Sequence, residues 1–218
     1  MIHEQDIAQI LLERQAVTLN ATEPYTYASG LRSPIYCDNR RLTFFPDARA
    51  IIIQAFVDRI RPLDADVIAG TASSAISWAA WVAAALDLPM VYIRKTAKGY
   101  GKHQRIEGGK IRGRHVAVIE DLVSTGSSSL NAVQACRAAG AEVPAMIAIF
   151  TYEFAEAQRH FKDADCKALF LSNLSALIRV AAERQSLDPA QRALIQDWSR
   201  DPQNWGPAHG FPNAVPTS

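Results

Sequence analysis

Apolar positions along the chain repeat with two different periods, and the change of period divides the sequence. Ile7, Ile10 and Leu11 fall on one helical face, so the opening stretch predicts a short amphipathic helix. Residues 25–41 lose this period among Ser, Gly, Pro and aromatic residues, which predicts turns and short strands. Pro46 then opens a helix with Ala48, Ile51, Ile52, Ala55, Phe56 and Ile60 on its inward face. From Asp66 the elements alternate. Val67-Ile68-Ala69 predicts a buried strand, residues 70–74 a turn of small residues, residues 75–86 a helix and residues 90–93 a second strand. The apolar run after His115, a helix from Leu130 to Gly140 and a strand over residues 145–150 repeat that order. Residues 168–171 add a further strand and residues 173–183 a helix. Asp188-Pro189-Ala190-Gln191 has the form of another helix start, capped by Asp188.

Strands that alternate with helices predict an α/β fold with a central parallel β-sheet flanked by helices, binding ligands at the carboxyl ends of its strands. Composition narrows the class further. With 218 residues, 49% of them hydrophobic, one domain with a sizeable core is expected. A formal net charge of +1 argues against a general nucleic-acid footprint. No apolar run is long enough to span a bilayer, and the polar, acidic start is unlike a signal peptide. Cys37, Cys136 and Cys166 are odd in number and widely spaced, which fits a reduced, cytoplasmic setting rather than a disulfide framework or a zinc site.

The chemistry concentrates after the third predicted strand. His115-Val116-Ala117-Val118-Ile119 leads into two adjacent carboxylates, Glu120 and Asp121, followed by Leu122-Val123-Ser124-Thr125-Gly126-Ser127-Ser128-Ser129. Small residues before a helix let backbone N–H groups approach an anion, and the helix terminus adds partial positive charge. Two acids beside that loop suit a ligand that carries sugar hydroxyls, or a metal ion, next to its phosphate. A ribose phosphate satisfies both halves. Simple helix capping accounts for less, because it needs one hydroxyl and the loop supplies five. A second feature begins at Arg94 and runs to Arg114: it is basic, contains five glycines and has Glu107 as its single acid. Connections of this length are uncommon in compact domains and often act as lids.

These segments resemble those of a known family. Residues 120–128 are similar to the phosphoribosyl-diphosphate signature of phosphoribosyltransferases. Arg94-Lys95-Thr96-Ala97-Lys98-Gly99-Tyr100-Gly101, continuing to Ile106-Glu107-Gly108, resembles the catalytic loop of the orotate phosphoribosyltransferases, and Ser29-Gly30-Leu31-Arg32-Ser33-Pro34 their hood segment. The resemblance implies a single domain over residues 1–218, with a small N-terminal hood (1–45), a core (66–172), a long flexible catalytic loop and a peripheral tail (201–218). It implies Mg²⁺ as cofactor and a homodimer that makes orotidine 5′-monophosphate from orotate and 5-phosphoribosyl 1-diphosphate. Arg94 and Lys98 would grip the diphosphate, with Lys95 reaching it from the neighbouring subunit and Tyr100 contributing from the loop. Glu120, Asp121, Leu122, Val123, Ser124, Thr125, Gly126, Ser127 and Ser128 would hold the ribose phosphate, with Ser124 and Tyr152 near the orotate. Lys98, Asp121 and Tyr100 would be the catalytic residues. Ser73 and Ser74 fall on the diphosphate side.

The chain departs from that pattern at three positions. Tyr100 stands where many members have histidine, with His103 nearby but displaced. Ala28 stands where many have a hood lysine, and Tyr152 close to where many have an arginine that pairs with the orotate carboxylate. Transfer to another base, or a non-catalytic sensor of phosphoribosyl diphosphate, stay open at this level. Trp78 and Trp81, three residues apart, read as core or interface residues.

Overall fold

The computed structural model describes residues 2–96 and 105–216. The chain begins with α1 (Glu4–Glu13), which packs on the core, and continues through β1 (Val17–Leu19), β2 (Tyr25–Thr26), β3 (Arg32–Ser33) and β4 (Ile35–Cys37), the small strands of the expected hood. A 3-10 segment, Asn39–Phe44, leads to α2 (Pro46–Ile60). The core then runs β5 (Val67–Thr71), α3 (Ile76–Leu86), β6 (Met90–Ile93), β7 (Ile106–Glu107) and β8 (Val116–Val123). It continues with α4 (Ser127–Ala138), β9 (Met146–Thr151), α5 (Ala155–Asp163), β10 (Ala168–Asn173) and α6 (Leu174–Glu183). Two helices, α7 (Pro189–Arg200) and α8 (Trp205–Ala208), close the chain.

The main sheet has the order β10-β9-β8-β5-β6-β7, parallel except for β7, which lies antiparallel on β6. All of β9 and β5 is buried, as strands covered on both faces require. From β5 the chain steps outward to β6 through α3, then returns to β8 on the other side of β5. Right-handed crossovers in opposite directions place α3 and α4 on opposite faces of the sheet. The reversal between β5 and β8 is a topological switch point, the place where such sheets leave a crevice for ligands. Gly70 near the end of β5 lets α3 come in close, since a Cβ there would lie 2.7 Å from that of Ala79.

Several elements differ from the sequence pattern. Ile51 is exposed on α2 and Val57 is buried in its place. The two acids do not end their strand: β8 runs on to Val123, because β9 continues to pair with it after β5 has stopped at Gly70 opposite Ile119. Helix α4 starts at Ser127, three residues before the apolar pattern begins at Leu130, because its first turn faces the open crevice. Helix α5 is not among the expected elements; its buried side consists of Ala157 and Phe161 alone. The start at Asp188 is a full capping box with Gln191. Trp198 and Trp205 are buried and hold the C-terminal segment, whose Ala214 N–H donates to the Gly30 carbonyl of the hood at 2.9 Å. Trp78 is buried, edge-on to Trp81 with ring centres 5.4 Å apart. The three cysteines are free. Among the described residues, no helix is long and apolar enough to cross a membrane.

Candidate active site

The site forms where the carboxyl ends of β5 and β8 meet the first turn of α4. Successive residues of a strand point to opposite faces, so Glu120 and Asp121 diverge. Glu120 turns inward and is buried. Its Oε1 accepts from Thr71 Oγ1 at 2.6 Å and from the Asp121 N–H at 3.1 Å, and its Oε2 accepts from Ser129 Oγ at 3.4 Å. Asp121 turns the other way: Ser74 Oγ, in the turn between β5 and α3, donates to Oδ1 at 2.8 Å, and Asn39 Nδ2 donates to the Asp121 backbone carbonyl at 2.6 Å.

Burial raises the pKa of Glu120 from its ordinary 4.5 to about 7; the Thr71 hydrogen bond opposes this, and the charge of Asp121 adds to it. The folded chain therefore binds the extra proton. Stability from this group is full below about 4.5 and falls as the pH rises towards 7. Glu120→Gln keeps an acceptor for Thr71 and removes the charge, so its stability in urea titrations should stay flat across that interval while the parent's declines. Parallel curves for the two proteins would remove Glu120 as the source.

Gly126 caps α4 in a left-handed conformation, φ +81°, and no side chain caps this terminus. The hydroxyls of the loop are thus not spent on capping, and the N–H groups of a helix's first turn have no intrahelical acceptors. A cleft of about 250 Å³ opens beside them, lined by Thr71, Arg94, Lys95, Arg105, Ser127 and Ser128 among others. Arg94 and Lys95 bring positive charge to its far wall, and Arg94 lies 3.8 Å from Glu107. A larger groove, about 920 Å³, lies along α4 and shares Arg105 and Asn131 but none of residues 120–128.

The structure thus brings Arg94, Lys95, Ser127 and Ser128 around one cleft, with Glu120 reaching its wall through Thr71. Ser124 is exposed at the end of β8, and Thr125 is half-buried. Val123 is buried and Leu122 packs against the core, so a ligand would meet their backbone rather than their side chains. Tyr152 is buried beneath the hood, its hydroxyl 3.4 Å from that of Tyr27, which in turn donates to the Ile35 carbonyl at 2.7 Å. Lys98, Tyr100 and His103 lie outside the described residues. Burial pushes the Cys37 thiol well above its usual range, so it stays a thiol rather than a nucleophile.

Sequence reasoning missed three residues. Asn39, buried under the hood, ties it to Asp121; the signal was a polar residue in the 3-10 segment that follows the hood motif. Arg105 donates to the Arg94 carbonyl at 2.9 Å and to the side chain of Asn131, so it clamps the foot of the basic segment to α4. His160 on α5 contacts the carbonyl of Thr125.

Comparison with known proteins agrees with this geometry. A model of the phosphoribosyl transferase domain matches residues 43–183. The chain belongs to the phosphoribosyltransferase family. It is 45% identical over 205 residues to an orotate phosphoribosyltransferase of Listeria monocytogenes, covering 93% of this chain and 98% of that protein. It is 44% identical over 204 residues to the orotate phosphoribosyltransferase of Coxiella burnetii, with the same coverage. The crystal structure of the orotate phosphoribosyltransferase from Aeropyrum pernix shares the fold, with a TM-score of 0.72 and 22% identity over 84% of this chain and 99% of that one. The match to the family model takes in α2, the main sheet and the loops at the carboxyl ends of its strands.

Proposed function

We propose that this phosphoribosyltransferase transfers the phosphoribosyl group of 5-phosphoribosyl 1-diphosphate to orotate, giving orotidine 5′-monophosphate and diphosphate in pyrimidine biosynthesis. Full-length similarity to orotate phosphoribosyltransferases carries the choice of base. The site supports the chemistry. The bond from ribose C1 to the diphosphate oxygen breaks, with its electron pair leaving on the diphosphate, and an orotate nitrogen forms the new bond to C1 as its proton passes to the diphosphate or to water. Positive charge develops on the sugar ring between those events, so stabilisation is mainly electrostatic.

In this reading the backbone N–H groups and hydroxyls of Ser124, Thr125, Gly126, Ser127 and Ser128 hold the 5′-phosphate. Asp121 holds ribose hydroxyl and faces the cationic ring, while Glu120 sets the shape of the crevice through Thr71. Arg94, Lys95, Lys98 and Tyr100 receive the leaving diphosphate. Tyr152 supports the base from beneath the hood through Tyr27.

Among the described residues no group of three or more His, Cys, Asp or Glu could hold a metal ion. That donor set still fits Mg²⁺, which commonly takes one or two carboxylates and completes its shell with substrate phosphates and water. Asp121 is the acid available to it beside the ribose hydroxyls and diphosphate oxygens, and the ion would neutralise charge on the leaving group.

We also propose a homodimer in a cytoplasmic setting. Phe44 is 82% exposed and Ile51, on the helix that follows it, 40% exposed, and a second copy would cover these apolar side chains. Purified enzyme supplied with phosphoribosyl diphosphate, Mg²⁺ and separate bases should consume orotate and leave adenine, hypoxanthine and uracil untouched. Preferential use of a purine would reassign the base.

A further inference from the structure

Helix α5 packs its narrow buried edge against the loop between β8 and α4. His160 Nδ1 lies 2.9 Å from the Thr125 carbonyl, and because a carbonyl can only accept, Nδ1 carries the hydrogen. On the other side of the ring, Nε2 faces Glu156 Oε1 at 3.8 Å, one turn earlier on the same helix. The next residue, Phe161, backs Gly126: a Cβ on that glycine would lie 3.0 Å from the phenyl Cε2. Thr125 and Gly126 are therefore gripped from one side, by a hydrogen bond and by a ring.

The consequence follows from the planarity of the peptide unit. In a trans peptide the C=O and the following N–H point in opposite directions. With the Thr125 carbonyl drawn to His160, the Gly126 N–H is directed away from α5, and the carbonyl dipole that would repel an anion is turned into the protein. We propose that His160 is a positioning residue for the 5′-phosphate of the substrate, holding the Thr125–Gly126 peptide with its N–H towards the anion. The inference rests on the assignment of this loop to the ribose phosphate.

Two ligands separate this role from general support of the fold. Orotidine 5′-monophosphate uses the loop, whereas inorganic diphosphate uses the Arg94 and Lys95 side. By calorimetry, His160→Ala should bind orotidine 5′-monophosphate roughly fivefold more weakly, the size of a net hydrogen bond, and bind diphosphate as the parent does. The KM for phosphoribosyl diphosphate should rise while kcat holds. His160→Asn, whose amide nitrogen can take the place of Nδ1, should restore the affinity, and His160→Gln should not. Unchanged nucleotide binding in His160→Ala, equal losses of both ligands, or equal behaviour of the Asn and Gln variants would overturn the proposal. A parent that binds diphosphate but not the nucleotide would instead overturn the assignment of the loop.

Discussion

Asp121→Asn is expected to fold like the parent and to lose roughly a hundredfold in kcat, the usual size for a lost electrostatic stabiliser. The side chain accepts from Ser74 Oγ, and the backbone carbonyl is held by Asn39. An asparagine can keep both contacts, since its amide oxygen still accepts from Ser74. What disappears is the negative charge facing the ring as it becomes cationic. Circular dichroism and a urea titration establish the fold, and steady-state kinetics at saturating substrates read the loss. Turnover near that of the parent in a folded variant would exclude Asp121 from the role given to it.

The second large effect concerns Lys95, which lines the cleft at the edge of the described segment. If it serves the neighbouring subunit, Lys95→Ala and Asp121→Asn dimers are each nearly inactive, but a hybrid has one site with both lesions and one intact site. Equal mixing and re-association should then recover about a quarter of parental activity, because half the dimers are hybrids with one of two sites whole. Hybrids that form, as tagged purification would show, yet remain inactive would place Lys95 in its own subunit's site.

How far the sequence disclosed these features depended on the kind of signal each carries. The β-branched run, the paired acids and the loop of hydroxyls are local, so residues 116–129 announced the strand, the turn and the helix that frame the candidate site. Two details there needed tertiary information: pairing with β9 extends β8 past the acids, and strand alternation sends Glu120 and Asp121 to different partners. Ile51 fits a helical stripe but points outward, because periodicity alone does not say which apolar positions turn to the core. Asn39, Arg105 and His160 act across 82, 26 and 35 residues of sequence respectively, and no local pattern marks such contacts. Helix α5 is strongly one-sided, with Ala157 and Phe161 on its buried edge, so its pattern was present in the sequence but was passed over.

A crevice that transfers a phosphoribosyl group to orotate must form one nucleotide for each diphosphate it releases. The most direct measurement is the product balance with purified enzyme, orotate, phosphoribosyl diphosphate and Mg²⁺, separated by chromatography as the reaction proceeds. Orotidine 5′-monophosphate and diphosphate are expected in equal amounts, each matching the orotate consumed. Diphosphate released without the nucleotide, or phosphoribosyl diphosphate bound and left intact, would contradict that transfer.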